Sequence, residues 1–330
     1  MKQFLKIVIT PSFPLAVFLI VVPFVLWLTG FALIPVSGDE SIYLTGLLAN
    51  VFSLRADLVT NVLSIIITLF NAFLIVQINN KYTIIRNRTF LPVLVFLLLI
   101  SCWTDTHIYV LAHLTLALFA LSLFVFFSMY RDTKASEQAF LGSLLIASGS
   151  LFAYPVILFI PVCWIGFMRF HSFSLRTFLG SVFGVLVPWI FYFVVRYYFQ
   201  PDLLWLNEIA ESFRLGWAVT ELSLIRVVYL AVMLVFMLVG LVGLYSELRN
   251  DSVQVRARLS FLQLIMVFAF IFSMILVDYY YLFIPFVAIS YSLLISHPFT
   301  LRASKFYGIL FALFILFNFA FVILQIILNA

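Results

Sequence analysis

Long, uninterrupted apolar runs recur along the whole chain, and they constrain its fold more than any other feature. Of the 330 residues, 65% are hydrophobic and only 9% are charged. A helix of about 20 apolar residues crosses the hydrocarbon core of a bilayer, which is about 30 Å thick. The strands of a membrane barrel would alternate apolar and polar residues, and these runs do not alternate. The sequence therefore predicts an all-α, polytopic transmembrane helical bundle and excludes a soluble globular domain.

The runs indicate about eleven spans, with ten or twelve as the alternatives. We expect them at residues 13–34, 58–78, 89–103, 108–129, 139–153, 155–168, 177–195, 225–245, 259–277, 281–295 and 306–328. The fifth and sixth are short and meet at Tyr154-Pro155, so they could instead form one broken or re-entrant pair. The first resembles a signal peptide but lacks a small-residue cleavage site, so we expect it to be retained. We expect residues 1–330 to form a single integral membrane domain.

Charged residues divide unequally between the two sides of the predicted bundle. With the amino terminus in the cytoplasm, the inner segments hold Lys2, Lys6, Lys81, Arg86, Arg88, Arg131, Lys134, Arg169, Arg176, Arg249, Arg256, Arg258, Arg302 and Lys305. The outer segments hold Asp39, Glu40, Asp57, Asp105, Asp202, Glu208, Glu211, Glu221 and Asp278. An inner excess of Lys and Arg follows the positive-inside rule, which would fail from the seventh span onward if the chain did not cross at Tyr154-Pro155. We expect a bacterial inner-membrane protein with a periplasmic carboxyl terminus, whose net positive charge needs no nucleic acid to explain it.

Two long outer segments, 35–57 and 196–224, mix apolar and charged residues at helical spacing. The second carries Trp205 and Trp217, a residue type common at headgroup depth. The sequence predicts two interfacial amphipathic helices on the outer face. Inner loops such as ELRNDSVQVRAR are short and polar, and we expect them to be plain connectors.

The acidic pair Asp39-Glu40 follows the first span closely, after the turn residues Ser37-Gly38. Adjacent carboxylates at a membrane surface can act as a general base, or they can hold a divalent cation through their hard oxygen atoms. They could equally be ordinary helix-capping residues, with Asp39 or Ser41 as the cap of the interfacial helix. Both interpretations stay open.

A second polar group, Asp105 and His107, lies in the very short outer turn CWTDTHIY. Such a turn holds both side chains at the membrane surface, where a histidine can bind phosphate or transfer a proton. The alternative is that Asp105 caps the next helix and His107 merely lies at headgroup depth. The sequence does not decide between the two.

Further outer residues could contact a substrate. Asp278 and Tyr279 begin DYYYLFIP, where tyrosines are typical of an aromatic belt but could also stack on a sugar or headgroup. Arg196, Arg214 and Arg226 lie on the outer side against the inward bias and could bind phosphate. The alternatives for Arg226 are snorkelling, or pairing with Glu221 five residues earlier.

Several chemistries lack their sequence signatures. The chain has no phosphate-binding glycine loop, no HExxH and no serine-nucleophile elbow. Its two cysteines, Cys102 and Cys163, lack metal-ligand spacing, and we expect both to be small apolar-helix residues. ATP-driven transport and zinc proteolysis are therefore unsupported.

The early acidic pair, the long segment after it, the outer Asp105 and the stretch GSLLIASGSLFAYPVILFIPVCWIGFMRFHSFSLRTFLGSVFGVLVP together resemble the GT-C superfamily of polytopic glycosyltransferases. The resemblance covers roughly residues 13–190. The stretch INNKYTIIRNRTFLPVLVFLLLIS, with the hairpin after it, also resembles a family of Bacteroidetes integral membrane proteins of unknown activity. Where GT-C enzymes often carry Arg-Tyr at the ninth span, this chain has Asp278-Tyr279.

The GT-C resemblance implies a polyprenyl-phosphate-linked sugar as donor. It implies Asp39 or Glu40 as the base, with a divalent cation as an optional cofactor. It also implies Asp105 as a second acid and an outer arginine as the phosphate ligand. Two alternatives remain: a flippase or transporter of a lipid-linked intermediate, and a non-catalytic subunit of a cell-envelope complex with other envelope proteins as partners. A flippase would need polar residues that continue through the bundle.

Overall fold

A computed structural model describes residues 21, 25–29, 58–103, 106–107, 109–199, 203, 205–216, 223–276, 279–302 and 304–329. These residues form helices and turns, and no strand occurs among them. The helices from residue 58 onward are α1 (Leu58–Tyr82), α2 (Leu91–Cys102), α3 (Val110–Phe126), α4 (Ser136–Ser150), α5 (Phe159–Arg169), α6 (Leu175–Phe199), α7 (Trp205–Ser212), α8 (Leu224–Glu247), α9 (Val253–Ile275), α10 (Tyr280–Leu301) and α11 (Lys305–Asn329). Short 3-10 helices extend α3 through Met129, precede α5 from Tyr154 and extend α8 through Asn250.

The described residues confirm the predicted all-helical fold, and their apolar helices have the lengths expected of a polytopic membrane protein. Within the described residues, seven are long and apolar enough to cross a membrane: Asn61–Tyr82, Val110–Met129, Leu175–Phe199, Leu224–Asn250, Val253–Ile275, Tyr280–Leu301 and Lys305–Ile327. Leu91–Cys102 and Tyr154–Arg169 are shorter apolar helices. Each predicted run from 58–78 onward coincides with a helix, but the total of eleven spans stays a prediction because several helices are short and 13–34 lies mostly outside the described residues.

Side-chain contacts gather the ends of several helices on one side of the bundle. Near the start of α9, the buried Arg258 donates to the carbonyl oxygens of Tyr82, the last residue of α1, and Phe127, just after α3. Arg302, after α10, pairs with Glu247 at the end of α8 at 2.8 Å. We call this side, where α1, α3, α8 and α10 finish, the inner end; the sequence predicts that it faces the cytoplasm. The opposite side is called the outer end.

Two helices lie at the centre of the bundle. Every residue of α2 is buried, as are most residues of α10, and the two pack against each other. By contrast, α6 exposes large apolar side chains, among them Phe183 and Phe191. Because lipid tails are as apolar as a helix-helix contact, burial in such a bundle reflects close packing rather than hydropathy. The central helices therefore organise the sites described below.

Small residues bring α4 and α6 into close contact. A Cβ atom at Gly184 would lie 2.4 Å from the carbonyl oxygen of Phe140, and one at Gly180 would lie 2.6 Å from that of Ser136. The hydroxyl oxygens of Ser143 and Ser181 are 2.7 Å apart. Small residues and interhelical hydrogen bonds are the usual means by which membrane helices approach each other.

The second predicted interfacial segment contains the short helix α7. Trp205 and Ser212, at its two ends, are buried, whereas the residues between them are mostly exposed. The first predicted segment, 35–57, lies outside the described residues. Two interfacial helices therefore remain a prediction.

Candidate functional site

A polar network lies at the outer end between α6, α7 and the turn before α5. The hydroxyl oxygens of Tyr154 and Tyr192 are 2.5 Å apart, and the Arg196 Nε donates to the Tyr192 oxygen at 3.2 Å. Arg196 also pairs with Glu208 at 2.8 Å. Arg196 lies one turn after Tyr192 on α6, so both side chains point to the same place. The network thus joins two buried phenols to a charge pair that reaches the surface.

The same network extends to the beginning of α10. Ser212 donates its hydroxyl to the backbone oxygen of Glu208 at 2.7 Å, and the buried Tyr279 donates to Ser212 at 3.0 Å. Tyr281 is also buried and stacks on Tyr109 with the ring centres 3.9 Å apart. Tyr279 and Tyr281 therefore both pack against other parts of the protein.

A buried histidine pair forms a second polar group at the outer end. His113 contacts the Thr68 hydroxyl at 3.2 Å and the backbone oxygen of Thr106 at 2.9 Å. His107 stacks on Trp27 with the ring centres 4.0 Å apart. Asn71 donates to the backbone oxygen of His113 at 3.0 Å. These contacts fix the turn between α2 and α3 against α1.

Burial decides the charge of His107. Removal from water is the main cause that lowers its pKa to about 3, and the neighbouring His113 adds to the effect. The imidazole is therefore neutral at physiological pH. A neutral ring can hydrogen-bond to a substrate, but the geometry does not favour the expected binding of phosphate through a charged histidine.

An apolar groove of about 310 Å³ lies between α8, α9 and α10, with the end of α2 behind it. We call it the lateral groove. It is lined by, among others, Trp103, Met233, Met237, Met266, Phe270 and Ala288. Its tyrosine hydroxyls are bonded to protein, since Tyr229 donates to Asn318 at 2.8 Å and Tyr291 donates to the Met233 carbonyl oxygen at 3.3 Å. The groove can therefore hold an apolar chain without leaving these hydroxyls unpaired.

The lateral groove opens sideways, toward the surroundings of the bundle. Its walls α8 and α9 both pack against α10 but make little contact with each other. The hydrogen bond of 3.2 Å from Tyr245 to Gln263 joins their inner halves. On the rim, Leu238 of α8 is 55% exposed and Val267 of α9 is 47% exposed. In a membrane, a lipid chain could enter between the walls.

The outer part of the groove borders two elements that carry predicted site residues. Trp103, which ends α2, lines the groove and begins the turn that contains His107. Tyr229 also lines it and follows the partly buried Arg226 by about one turn of α8. The groove therefore connects the interior of the bundle with this turn and with the beginning of α8.

The structure brings some of the predicted site residues together and separates others. Arg196 and Tyr279 belong to one network, while His107 and Arg226 lie on the two elements that border the groove. Arg214 is exposed after α7 and joins neither group. The four acids on which the sequence analysis depended, Asp39, Glu40, Asp105 and Asp278, lie outside the described residues. Among the described residues, no group of three His, Cys, Asp or Glu side chains could hold a metal ion.

Sequence reasoning missed several polar residues that are paired or buried in the structure. Glu208 was grouped with the outer acids, yet it pairs with Arg196. The inner loop between α8 and α9 was expected to be a plain connector, which is wrong: Asp251 in this loop has a fully buried side chain that pairs with Arg86 at 2.9 Å. A lone charged or imidazole side chain beside a long apolar run, as in LAHLT and SHPFT, is the signal that could have found His113 and His297. Cys102 and Cys163 are free and buried, as expected.

Comparison of the chain with known protein families, with curated proteins and with solved structures finds no match.

Proposed function

We propose that this chain is a glycosyltransferase-type membrane protein that takes a polyprenyl-phosphate-linked sugar at its outer, periplasmic face. The lateral groove is the observation that supports this best, because it offers an apolar chain a path from the lipid to the outer end. Nucleotide sugars are absent outside the cytoplasm, so a transferase there needs a lipid-linked donor. The apolar chain would lie against Met233, Met266 and Ala288, and the headgroup would lie near Arg226 and the α2–α3 turn.

The proposed chemistry is transfer of a sugar to a hydroxyl group. Asp39 or Glu40 takes the proton of the acceptor hydroxyl group, and the oxygen of that hydroxyl group attacks the anomeric carbon of the sugar. The bond between that carbon and the phosphate oxygen breaks, and polyprenyl phosphate leaves with the bonding electrons. A cation reduces the cost of the leaving charge. We assign this role to Arg226, because it lies at the beginning of α8, one turn before the groove-lining Tyr229.

Bound lipid provides the first test. We expect lipid extracted from the purified protein to contain a polyprenyl phosphate, measured by mass spectrometry. Ala288→Phe should fill the groove and remove that lipid, because Ala288 is 2% exposed and lines the cavity. The matched control, Val242→Phe, adds the same ring on α8 at a site 73% exposed and outside the groove, and it should retain the lipid. Equal lipid content in both variants would contradict the proposal.

Activity provides the second test. Alanine at Asp39, Glu40 or Asp105 should abolish the transfer of sugar and leave folding intact, as measured by the glycan profile and by size-exclusion chromatography. Unchanged glycan profiles in all three variants would refute the proposed enzymatic activity.

A flippase for a lipid-linked intermediate is the second candidate, and one observation favours it. Asn61, Ser64, Thr68 and Asn71 recur at helical spacing on α1, and all four are buried. Among the described residues, Ser64 Oγ and Asn71 Oδ1 have no hydrogen-bond partner. Purified protein in liposomes should then move a polyprenyl-phosphate sugar across the bilayer without transferring it. If the polyprenyl-phosphate sugar does not cross the bilayer, the flippase is refuted and the glycosyltransferase stays as the proposal.

A further inference from the structure

A buried ionisable cluster lies at the inner end, opposite to the outer end at which the proposed reaction takes place. The side chains of Asp251 and His297 are both fully buried. Asp251 Oδ1 accepts from the Nε of Arg86 at 2.9 Å, while Asp251 Oδ2 lies 3.0 Å from the Nε2 of His297. The second contact is close but lies off the geometry of a hydrogen bond.

The position of the cluster links it to the lateral groove. Asp251 lies in the short loop between α8 and α9, which are the two walls of the groove. His297 lies on α10, which forms its floor. Arg86 follows α1 and has a side chain 43% exposed. The loop joins the two walls, and the Asp251–His297 contact therefore places this loop against the central helix α10.

Unpaired polar atoms lie on the same stretch of α10 as His297. Both ring nitrogens of His297 lack a hydrogen-bond partner among the described residues, and so do the hydroxyls of Ser296 and Thr300, all within one turn of α10. Buried polar groups are nearly always hydrogen-bonded, so such atoms mark a place with a specific role. The Nε2 of His297 lies 3.0 Å from a buried carboxylate oxygen, so a proton on this nitrogen could be donated to that carboxylate.

The neighbouring charges determine what an added proton would do. Arg86 balances Asp251, and Arg302 balances Glu247 beside them. With a neutral imidazole the cluster carries no net charge, and a proton on His297 gives it one positive charge. Arg86, being partly exposed, can turn toward solvent more easily than the buried imidazolium can, so Asp251 would then pair with His297.

We propose that Asp251 and His297 form a proton-binding latch that sets how firmly the walls of the lateral groove are held at the inner end. Proton binding converts a close, poorly aligned contact into an imidazolium-carboxylate hydrogen bond. The loop between α8 and α9 is then held tightly against α10, and the walls vary less in separation. At higher pH the contact is weaker, and the walls open and close more freely.

Spin labels on the two walls test the latch without any lipid substrate, so its failure is distinct from failure of the proposed function. Cysteines replace Val228 on α8 and Ile271 on α9, both partly exposed near the outer end. The two native cysteines are fully buried, which disfavours their labelling. Electron-electron distance measurements on the full chain in nanodiscs should give a narrower distribution at pH 5 than at pH 8 in every preparation.

Two histidine variants separate the latch from a general effect of pH. His297→Gln keeps a donor toward Asp251 but does not titrate, so its distribution should not change with pH. The control, His171→Gln, changes an exposed histidine at the inner end and should respond as the parent does. Asp251→Asn should likewise lose the response. A distribution that is independent of pH in the parent, or that responds equally in His297→Gln, would overturn the latch.

Discussion

Tyr154 and Tyr192 face each other with their hydroxyl oxygens 2.5 Å apart, and Arg196 donates to the second of them. The contact ties the chain before α5 to the outer end of α6. Trp189, one turn before Tyr192, strengthens the same junction through a hydrogen bond of 3.0 Å to Ser150. The junction therefore positions Arg196, and through it Glu208 and α7.

Removal of one hydroxyl should weaken this junction. Tyr192→Phe leaves the Tyr154 hydroxyl, which lies on a fully buried ring, without its partner. An unpaired buried hydroxyl costs about 1–3 kcal/mol, so we expect the free energy of unfolding to fall by that amount. Denaturation in mixed micelles measures it. Tyr198→Phe is the control, because Tyr198 is 80% exposed, and it should change little. Equal effects would show that the pair contributes nothing.

Arg258 should be essential for the inner end. Its two terminal nitrogens donate to the Tyr82 and Phe127 carbonyl oxygens, which lie where α1 and α3 finish. Arg258→Met leaves both carbonyl groups without this donor, and we expect a loss of about 2–5 kcal/mol in unfolding free energy. Arg258→Lys keeps the charge but not the forked geometry. Its free energy of unfolding should therefore lie between those of the parent and of Arg258→Met.

The same denaturation measurement distinguishes geometry from charge at Arg258. The exposed Arg256, two residues earlier on α9, provides the control. The free energy of unfolding of Arg256→Met should be close to that of the parent. Full stability in Arg258→Lys would show that charge alone stabilises the inner end.

The contact between α4 and α6 should not tolerate a larger residue. Gly184→Ala places a methyl group 2.4 Å from the Phe140 carbonyl oxygen, and the helices must move apart. Overpacking of this kind costs about 1–3 kcal/mol. At Gly149 the nearest atom to an added methyl group is a Thr115 methyl carbon at 3.2 Å, so Gly149→Ala should cost less. Thermal unfolding of the two variants compares them, and the reverse order would refute this packing.

The helices could be predicted from the sequence, but their arrangement could not. Apolar runs located α1 through α6 and α8 through α11 closely, because in hydrocarbon a single segment can pair all its backbone groups only as a helix. Hydropathy could not reveal that α2 is central and α6 peripheral, since lipid and protein are equally apolar surroundings.

The polar sites escaped prediction for a related reason. The predicted tenth span ended at residue 295, whereas α10 continues to Leu301 and carries His297 on a buried face. Pro298 interrupted the apolar pattern but not the helix. Asp251 looked like any polar loop residue, because its partners Arg86 and His297 are distant in sequence. Long-range pairing of this kind leaves no local pattern to read.

His107 should make the folded protein less stable as the pH falls. Its pKa is about 3 in the folded chain, lowered by burial from an ordinary value of 6.5. Between these values the unfolded chain binds a proton that the folded chain does not, so acidification favours unfolding. The free energy of unfolding should fall by up to about 1.4 kcal/mol per pH unit below pH 6.5, and His107 should have no effect above it.

Unfolding measured from pH 8 to pH 4 should show a shallower slope in His107→Gln than in the parent, whatever the cost of losing the stack on Trp27. The exposed His171 supplies the comparison, because His171→Gln should keep the slope of the parent. A parent and a His107→Gln variant with the same slope would show that this imidazole is already protonated in the fold.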